Sequence, residues 1–170
     1  MIQFERVQVD GLGSLDFVFP EGAVVHVLPA SSREKQLWLD TLWGRLPPRE
    51  GRVLWGEHDL YALPERLRLA LFRSAGMVWS DGGLISNLKV WENIMLPACY
   101  HLGRKPEELE PRVLELLESL ESLGQDPDRL PEYLGRLPGP LPVQDKRLIG
   151  LARAMLMEPP LMIYDALLGG

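Results

Sequence analysis

The stretch EGAVVHVLPASSREKQLWLDTLWGRLPPREG, residues 21–51, decides the fold prediction for this chain. Its apolar run at 23–28 predicts a fully buried strand. A short polar turn follows and ends at Lys35. Apolar residues at helical spacing then predict a helix over about 32–44, with Gly44 as its C-terminal cap. The stretch therefore predicts a strand, a polar loop with a lysine, and a helix in direct succession.

The bulk properties of the chain restrict the class of protein. At 170 residues with 46% hydrophobic and 25% charged residues, the composition is that of one globular domain. The net charge of −6 argues against nucleic acid as a partner. A single cysteine, Cys99, excludes an internal disulfide framework and suits a reducing compartment. With no signal-peptide pattern at the N-terminus and no apolar run long enough to cross a bilayer, we expect a cytoplasmic location.

The rest of the chain alternates between predicted strands and helices. Strands are predicted at 2–9, 15–19, 52–55, 76–79 and 161–164. Helices are predicted at 64–74, 106–123 and 145–157. A loop over 81–87 leads into a short segment that ends near Pro97, and a cluster of prolines from Pro127 to Pro142 predicts irregular structure.

Four segments, in the same order and spacing, resemble the ATP-binding subunits of ABC transporters. Residues 21–51 match the phosphate-binding loop (P-loop) region in rhythm, and GMVWSD at 76–81 is similar to the strand that enters the Q-loop. LPVQDKRLIGLARAM at 141–155 is similar to the signature motif and its helix, and LMIYDAL at 161–167 resembles the Walker B strand. Between them, GGLISNLKVWENIMLP is similar to subunits that serve lipid or solvent-tolerance transporters.

The resemblance implies an α/β fold of the P-loop NTPase type, an ABC nucleotide-binding domain in which N-terminal antiparallel strands precede a helical insertion at about 85–135. One domain over 1–170 is expected, apparently truncated after the Walker B strand. In this fold class the strand after Walker B normally lies between the P-loop strand and the Walker B strand. Three alternatives stay open: the chain is a fragment, the two strands pair directly, or another copy fills the gap.

The departures from the family pattern fall on the phosphate-binding loop. Pro29 stands at the first loop glycine and lacks an N–H donor. Glu34 stands at the last one, and its carboxylate would repel a phosphate. Ser31 and Glu34 form the S-x-x-E pattern of a capping box, so the structural alternative is that Glu34 fills the anion site itself. Lys35 matches the phosphate lysine by position, while Gln36 replaces the hydroxyl that holds Mg²⁺.

The other motifs are altered as well. Ser80 stands at the Q-loop glutamine, and Ala166 at the Walker B glutamate that handles the attacking water. Residues 142–145 stand at the signature motif, where they introduce a proline, larger side chains and a carboxylate. Asp165 keeps the Walker B aspartate by position, although a turn residue at the end of a strand explains it equally well. The vestigial nucleotide-binding residues are thus Lys35, Gln36 and Asp165, and neither a catalytic residue nor a metal ligand is predicted.

The leading hypothesis is a degenerate, non-hydrolytic ABC subunit that acts as a scaffold or regulatory partner of a membrane permease. The segment 81–103 would provide the permease docking surface, which implies a location at the inner face of the membrane. A homodimer or a heterodimer with another ATP-binding subunit is expected, with no cofactor or at most weak binding of ATP and Mg²⁺. The alternatives are an active ATPase that uses Lys35 and Asp165, and a free-standing protein-interaction domain.

Overall fold

The computed structural model describes residues 1–120 and 130–165. The chain divides into two compact units, Met1–Phe72 and Arg73–Gly170. Two predictions, the end of the helix at 121–123 and the placement of Ala166, lie outside the described residues.

The first unit contains an antiparallel sheet of four strands in the order β2-β1-β3-β4. Its elements are β1 Ile2–Val9, β2 Gly13–Phe19, α1 Ser32–Leu42, β3 Glu50–Trp55, β4 His58–Asp59 and α2 Glu65–Arg73. The predicted strand at 2–9 is confirmed, and the expectation of antiparallel N-terminal strands holds. Strands β2 and β3 each begin two residues before the predicted start.

An irregularity in β1 explains one glycine of this sheet. Arg6 has φ of +46°, and the register of β1 shifts here against both β2 and β3. Gly51 in β3 lies opposite this residue, where an added Cβ would approach the Arg6 carbonyl oxygen to 2.3 Å. Only glycine fits so close to the neighbouring backbone.

Aromatic residues form the core between this sheet and α1. Phe4 lies at 0% exposure, and its ring stacks on that of Phe17 at a centroid distance of 4.8 Å. Trp38 of α1 contacts both rings at 5.3 and 5.2 Å. Trp38, one of the apolar positions predicted for the helix at 32–44, therefore packs against the sheet, and burial of these rings stabilises α1 there.

The predicted strand at 23–28 is wrong. The run has no regular secondary structure, and its side chains are exposed, with Val24 at 91% and Leu28 at 88%. A strand needs a hydrogen-bonded neighbour, and none of the described strands pairs with this run. The run therefore has the apolar composition of a strand but lacks the ladder hydrogen bonds that define one.

Over its described residues, 73–120 and 130–165, the second unit combines a two-stranded parallel sheet with four helices. Its elements are β5 Ala75–Val78, α3 Val90–Leu102, α4 Pro106–Ser119, α5 Leu130–Leu134, α6 Val143–Leu156 and β6 Leu161–Tyr164. The ladder between β5 and β6 runs from Ala75↔Leu161 to Val78↔Tyr164. Both strands fall within one residue of the predicted bounds at each end, and the parallel pairing fits an α/β fold.

Helix α3 corrects the prediction that the segment after the loop ends near Pro97. The helix continues through the proline to Leu102, although the proline ring removes one backbone hydrogen bond. Ile94 and Ala98 of α3 are both fully buried in the core that α3 shares with α4 and α6. Burial of this face keeps the helix continuous where local sequence would break it.

Helix α4 confirms the predicted amphipathic pattern. Leu109, Val113, Leu116 and Leu117 are buried on one face of the helix. The short helix α5 lies in a stretch that the prolines predicted to be irregular, because Pro131 occupies its first turn, where a missing N–H is tolerated. Helices α3 and α4 both lie within the helical insertion predicted at about 85–135, whose limits stay a prediction.

Candidate functional site

The loop before α1 is closed by its own side chains. Ser31 is the N-cap residue, and its Oγ accepts a hydrogen bond from the Glu34 N–H at 3.1 Å. The Glu34 carboxylate turns back and accepts from the Ala30 N–H at 2.7 Å. The predicted capping box is therefore confirmed, except that the carboxylate reaches the residue before the N-cap.

This arrangement occupies several of the N–H groups near the start of α1. Pro29 has no N–H, the Ala30 N–H is held by the Glu34 carboxylate, and the Lys35 N–H donates to the Ser31 carbonyl oxygen at 3.0 Å. A carboxylate near the positive end of a helix is favourable by itself. The loop thus carries its own anion.

Lys35 and Gln36 lie next to each other in the first turn of α1. The Gln36 side chain donates to the Asp40 carboxylate at 3.0 Å, one helical turn further on. Asp40 also forms a salt bridge with Arg45 at 2.8 Å. Gln36 is thereby engaged along the outer surface of its own helix.

Asp165 directly follows β6 in the second unit. Its N–H donates to the Val78 carbonyl oxygen at 2.9 Å, which continues the ladder between β5 and β6 by one residue. The residue is 8% exposed, so its carboxylate lies in a mostly buried position. Lys35 and Gln36 belong to the first unit and Asp165 to the second. Ala166, the next residue, lies outside the described residues.

Two arginines of α6 hold the loop that follows β5. The Arg147 Nε donates to the Ser80 carbonyl oxygen at 2.5 Å, and the Arg153 guanidinium donates to the carbonyl oxygens of Gly83 and Gly82 at 2.7 and 3.2 Å. Burial lowers the pKa of Arg153, and the nearby Asp81 opposes this shift. Ser80 therefore takes part in this contact through its backbone.

The same contact needs two glycines. A Cβ on Gly82, whose φ is +85°, would lie 2.3 Å from the Lys146 carbonyl oxygen. A Cβ on Gly150 of α6 would lie 2.7 Å from the Gly82 carbonyl oxygen. Sequence reasoning missed this contact. Its available signal was the pair of arginines, Arg147 and Arg153, on the helix that follows the altered signature segment.

The altered signature segment begins α6. Pro142 is the N-cap residue with ψ of 151°, and the helix starts at Val143, two residues before the predicted start. Asp145 lies in the first turn, where its charge is favourable to the helix. Leu141 is buried at 8% exposure and anchors this end of the helix. The segment is thus built as an ordinary helix start.

One buried amide, that of Asn93, binds the loop of the predicted docking segment at 81–103 to α3. Asn93 is 1% exposed, and its Oδ1 accepts from the Ile85 N–H at 2.7 Å. Its Nδ2 donates toward the carbonyl oxygens of Ile85, Leu88 and Lys89 at 3.0, 2.9 and 3.1 Å. The two amide hydrogens share three acceptors. The segment also exposes large apolar side chains, among them Tyr100 at 78%.

Neither a metal-binding cluster nor a membrane-spanning helix occurs in the part of the chain that the structure describes. Within 1–120 and 130–165, no group of three or more His, Cys, Asp or Glu side chains lies close enough to hold a metal ion. In the same ranges, every helix is too short or too polar to cross a membrane.

Comparisons with known proteins identify the family to which the fold belongs. No protein-family model matches the chain. A dimeric structure of a bacterial ABC transporter cassette superposes with a TM-score of 0.79 at 23% identity, over 96% of this chain and 73% of the cassette. This likeness defines the class: the fold is that of an ABC-type P-loop NTPase.

The sequence relatives point to one group of proteins within this class. The methionine import ATP-binding protein MetN 1 of Rhodopseudomonas palustris is 30% identical over 158 residues, which are 93% of this chain and 40% of the relative. MetN of Bradyrhizobium diazoefficiens is 32% identical over 158 residues, or 92% of this chain and 43% of the relative. The chain is therefore related to the ATP-binding subunits of ABC transporters, as the four sequence segments predicted, and it spans well under half the length of these two relatives.

These findings confirm the predicted fold class even though the strand expected at 23–28 is missing. The loop and helix that follow it are present. The similarity to subunits of lipid or solvent-tolerance transporters stays a prediction, since the two relatives are named for methionine import.

Proposed function

We propose that the chain is a degenerate, non-hydrolytic ABC-type subunit that serves as a scaffold or regulatory partner of a membrane permease. The observation that carries this proposal is the hydrogen bond between the Glu34 carboxylate and the Ala30 N–H, at 2.7 Å. In the family pattern this loop is where the backbone meets a phosphate. Here a side-chain carboxylate supplies the negative charge.

The residues of the loop do not fit a triphosphate. A phosphate oxygen close to Glu34 would meet a like charge. At about 4 Å and an effective dielectric constant near 20, such a contact costs about 4 kcal/mol. Pro29 removes a donor, and Gln36 is bonded to Asp40 instead of offering a hydroxyl to Mg²⁺.

Docking on a permease is supported by the segment at 81–103. Asn93 fixes its loop, and exposed apolar residues such as Leu96 and Tyr100 lie on the helix that follows. Exposed apolar side chains on a rigid support are typical of protein-interaction surfaces. A location at the inner face of the membrane, and a dimer with itself or with another ATP-binding subunit, follow from this proposal.

A second candidate function is an ATP-binding or weakly active ATPase subunit. It is favoured by the relatives, whose names describe ATP-binding proteins. It would use Lys35 and Asp165 with a displaced Mg²⁺ site. The third candidate, a free-standing interaction domain, would need neither nucleotide nor permease.

Affinity purification from the native host separates these three functions. The tagged chain should retain an integral membrane permease, identified by mass spectrometry, and the Tyr100→Glu variant should lose it. Arg104→Glu, which introduces the same residue at an exposed position outside the apolar surface, is the matched control and should keep the permease. The purified complex should release no phosphate from ATP through this chain. Loss of phosphate release on Lys35→Ala would favour the ATPase, and absence of any permease would favour the free-standing domain.

A further inference from the structure

The run at 23–28 exposes its side chains in an alternating pattern. Val24 and Leu28 are 91% and 88% exposed, and His26 between them is exposed as well. Val25 and Val27, which alternate with these three residues, are exposed at only 45% and 41%. Side chains of an extended chain point alternately to opposite faces, so this alternation is that of a strand. The run therefore has the side-chain pattern of a strand, although it pairs with none of the described strands.

The backbone of the run offers hydrogen-bonding groups to a further strand. Within the part of the chain that the structure describes, the N–H groups and carbonyl oxygens of residues 24–28 make no hydrogen bonds. On either side the N–H groups are in use, since Ala23 donates to the Pro20 carbonyl oxygen at 3.4 Å and Ala30 to the Glu34 carboxylate at 2.7 Å. An extended segment with open N–H and C=O groups is a template for another strand. Residues 24–28 are therefore the part of this segment that can pair.

The sequence of the run favours a second copy of itself as that strand. Its apolar residues are symmetric about His26, with two on each side. In an antiparallel pair with a two-fold axis at His26, Val24 lies opposite Leu28 of the other copy, and Val25 opposite Val27 of the other copy. Every apolar side chain then faces an apolar side chain, which stabilises a strand pair. A two-fold contact requires such a self-complementary sequence, whereas an unrelated strand would not.

Pro29 selects one hydrogen-bonding pattern for this pair. Along an antiparallel strand, alternate residues direct their N–H and C=O groups toward the partner and away from it. If His26 is a hydrogen-bonded position, Val24 and Leu28 are hydrogen-bonded positions too, and residues 23 and 29 point away. The missing N–H of Pro29 is tolerated there, and so is the use of the Ala23 N–H within its own turn. The local backbone thus fits a ladder through Val24, His26 and Leu28.

Charges at the two ends of the run favour the antiparallel direction. Glu21 precedes the run and Arg33 follows it, and both side chains are exposed. Among the described residues, neither Glu21 nor Arg33 takes part in an ion pair. An antiparallel pair brings the acidic end of one copy to the basic end of the other. A parallel pair would instead place like charges together.

We propose that the run at 23–28 pairs with the same run of a second copy of this chain, as a two-stranded antiparallel ribbon with His26 at the two-fold axis. So short a contact buries less than the roughly 1,200–2,000 Å² of a standard interface, so the dimer is weak and forms with rising protein concentration. The inference rests on the proposed function in that it specifies the contact of the proposed homodimer. It involves neither the permease nor a nucleotide.

Amide hydrogen exchange of the full chain, resolved by residue in NMR spectra at two protein concentrations, tests this pairing. Raising the concentration from about 20 µM to about 500 µM should slow exchange at Val24, His26 and Leu28 at least about threefold. Exchange at Val25 and Val27 should stay unchanged, since their N–H groups point away from the other copy. Sedimentation velocity over the same concentrations should show the shift from monomer to dimer.

Two proline variants separate the ladder from the apolar composition. His26→Pro removes an N–H that faces the other copy and should raise the dissociation constant of the dimer at least about tenfold. Val27→Pro, the matched control, removes an N–H that points away and should raise it less than about threefold. Circular dichroism verifies that both variants are folded. Glu21→Arg should weaken the dimer about twofold, and adding Arg33→Glu should restore it.

Three results would overturn the inference. They are a monomer at every concentration, a dimer that His26→Pro weakens no more than Val27→Pro does, and slow exchange at residues 24–28 that is independent of concentration. The last result would mark a pairing partner within the same chain. A monomer that retains the permease would disprove the paired run alone. A dimer formed through the run that retains no permease would disprove the permease partnership alone.

Discussion

Glu34 makes two hydrogen bonds within the loop before α1. Its backbone N–H donates to Ser31, and its side-chain carboxylate accepts from the Ala30 N–H. The Glu34 side chain thus places a negative charge on the Ala30 N–H, in the loop that would hold a phosphate in the family pattern. The sequence predicted this capping box, because its spacing depends only on the geometry of one helical turn. The side-chain bond from Gln36 to Asp40 could equally be anticipated from spacing four residues apart.

Reverting three loop residues to the family pattern tests whether these residues prevent phosphate binding. The triple change Pro29→Gly, Glu34→Gly and Gln36→Ser should return measurable phosphate affinity, because it restores two backbone positions and a hydroxyl. Hydrolysis should stay absent, since Ser80 and Ala166 still lack the required groups. Stability should fall by about 0.5–1 kcal/mol for each new glycine and by a similar amount for the lost cap.

Urea denaturation and calorimetry with inorganic phosphate and ATP measure these effects. Ser32→Gly, next to the cap, is the control for the glycine cost alone. A triple variant that is more stable than the parent and still does not bind ATP would show that the loop backbone follows a different path.

The contact between α6 and the loop at 80–83 joins two elements of the second unit. Arg153 donates to the carbonyl oxygens of Gly82 and Gly83, and the two glycines allow the loop and the helix to approach closely. Local sequence patterns indicated a helix and a loop. Which carbonyl oxygens the arginines bind depends on the packing of the two elements, so spacing along the chain could not predict it.

Arg153→Met should loosen this contact. The variant keeps much of the apolar stem but removes the arginine donor from the carbonyl oxygens of the buried Gly82 and the partly buried Gly83, so we expect a loss of about 2 kcal/mol in unfolding free energy. Amide hydrogen exchange in Gly82 and Gly83 should accelerate. Arg104→Met, an exposed arginine with a 4.0 Å pair, should change stability by less than about 0.5 kcal/mol. Equal stability of the two variants would contradict this role of Arg153.

The structure of two segments could not be predicted from their local sequence. The run at 23–28 has the composition of a strand but needs a ladder partner, which is a property of the whole sheet. Helix α3 runs through Pro97 because its buried face outweighs one missing hydrogen bond. Periodicity predicted α4 and β1 well, since each has one apolar face that already fixes its structure.

The whole molecule combines an ABC-type fold with a loop that carries its own anion. The order of four motifs was enough to predict the fold class, because each motif marks a particular strand, loop or helix of that fold. The candidate site was harder to predict. Lys35 and Asp165 keep their positions in the sequence. Whether a nucleotide can bind beside them depends on the backbone N–H donors and charges around them, and these cannot be derived from the identity of the substituted residues alone.

Isothermal titration calorimetry of the full chain with ATP and Mg²⁺ tests the central claim most directly. We expect no binding tighter than about 1 mM, which corresponds to roughly 4 kcal/mol. The Glu34→Gln variant should bind more tightly than the parent, since it removes the charge that opposes a phosphate. A micromolar dissociation constant for the parent chain that is lost on Lys35→Ala would contradict the account and support an active nucleotide site.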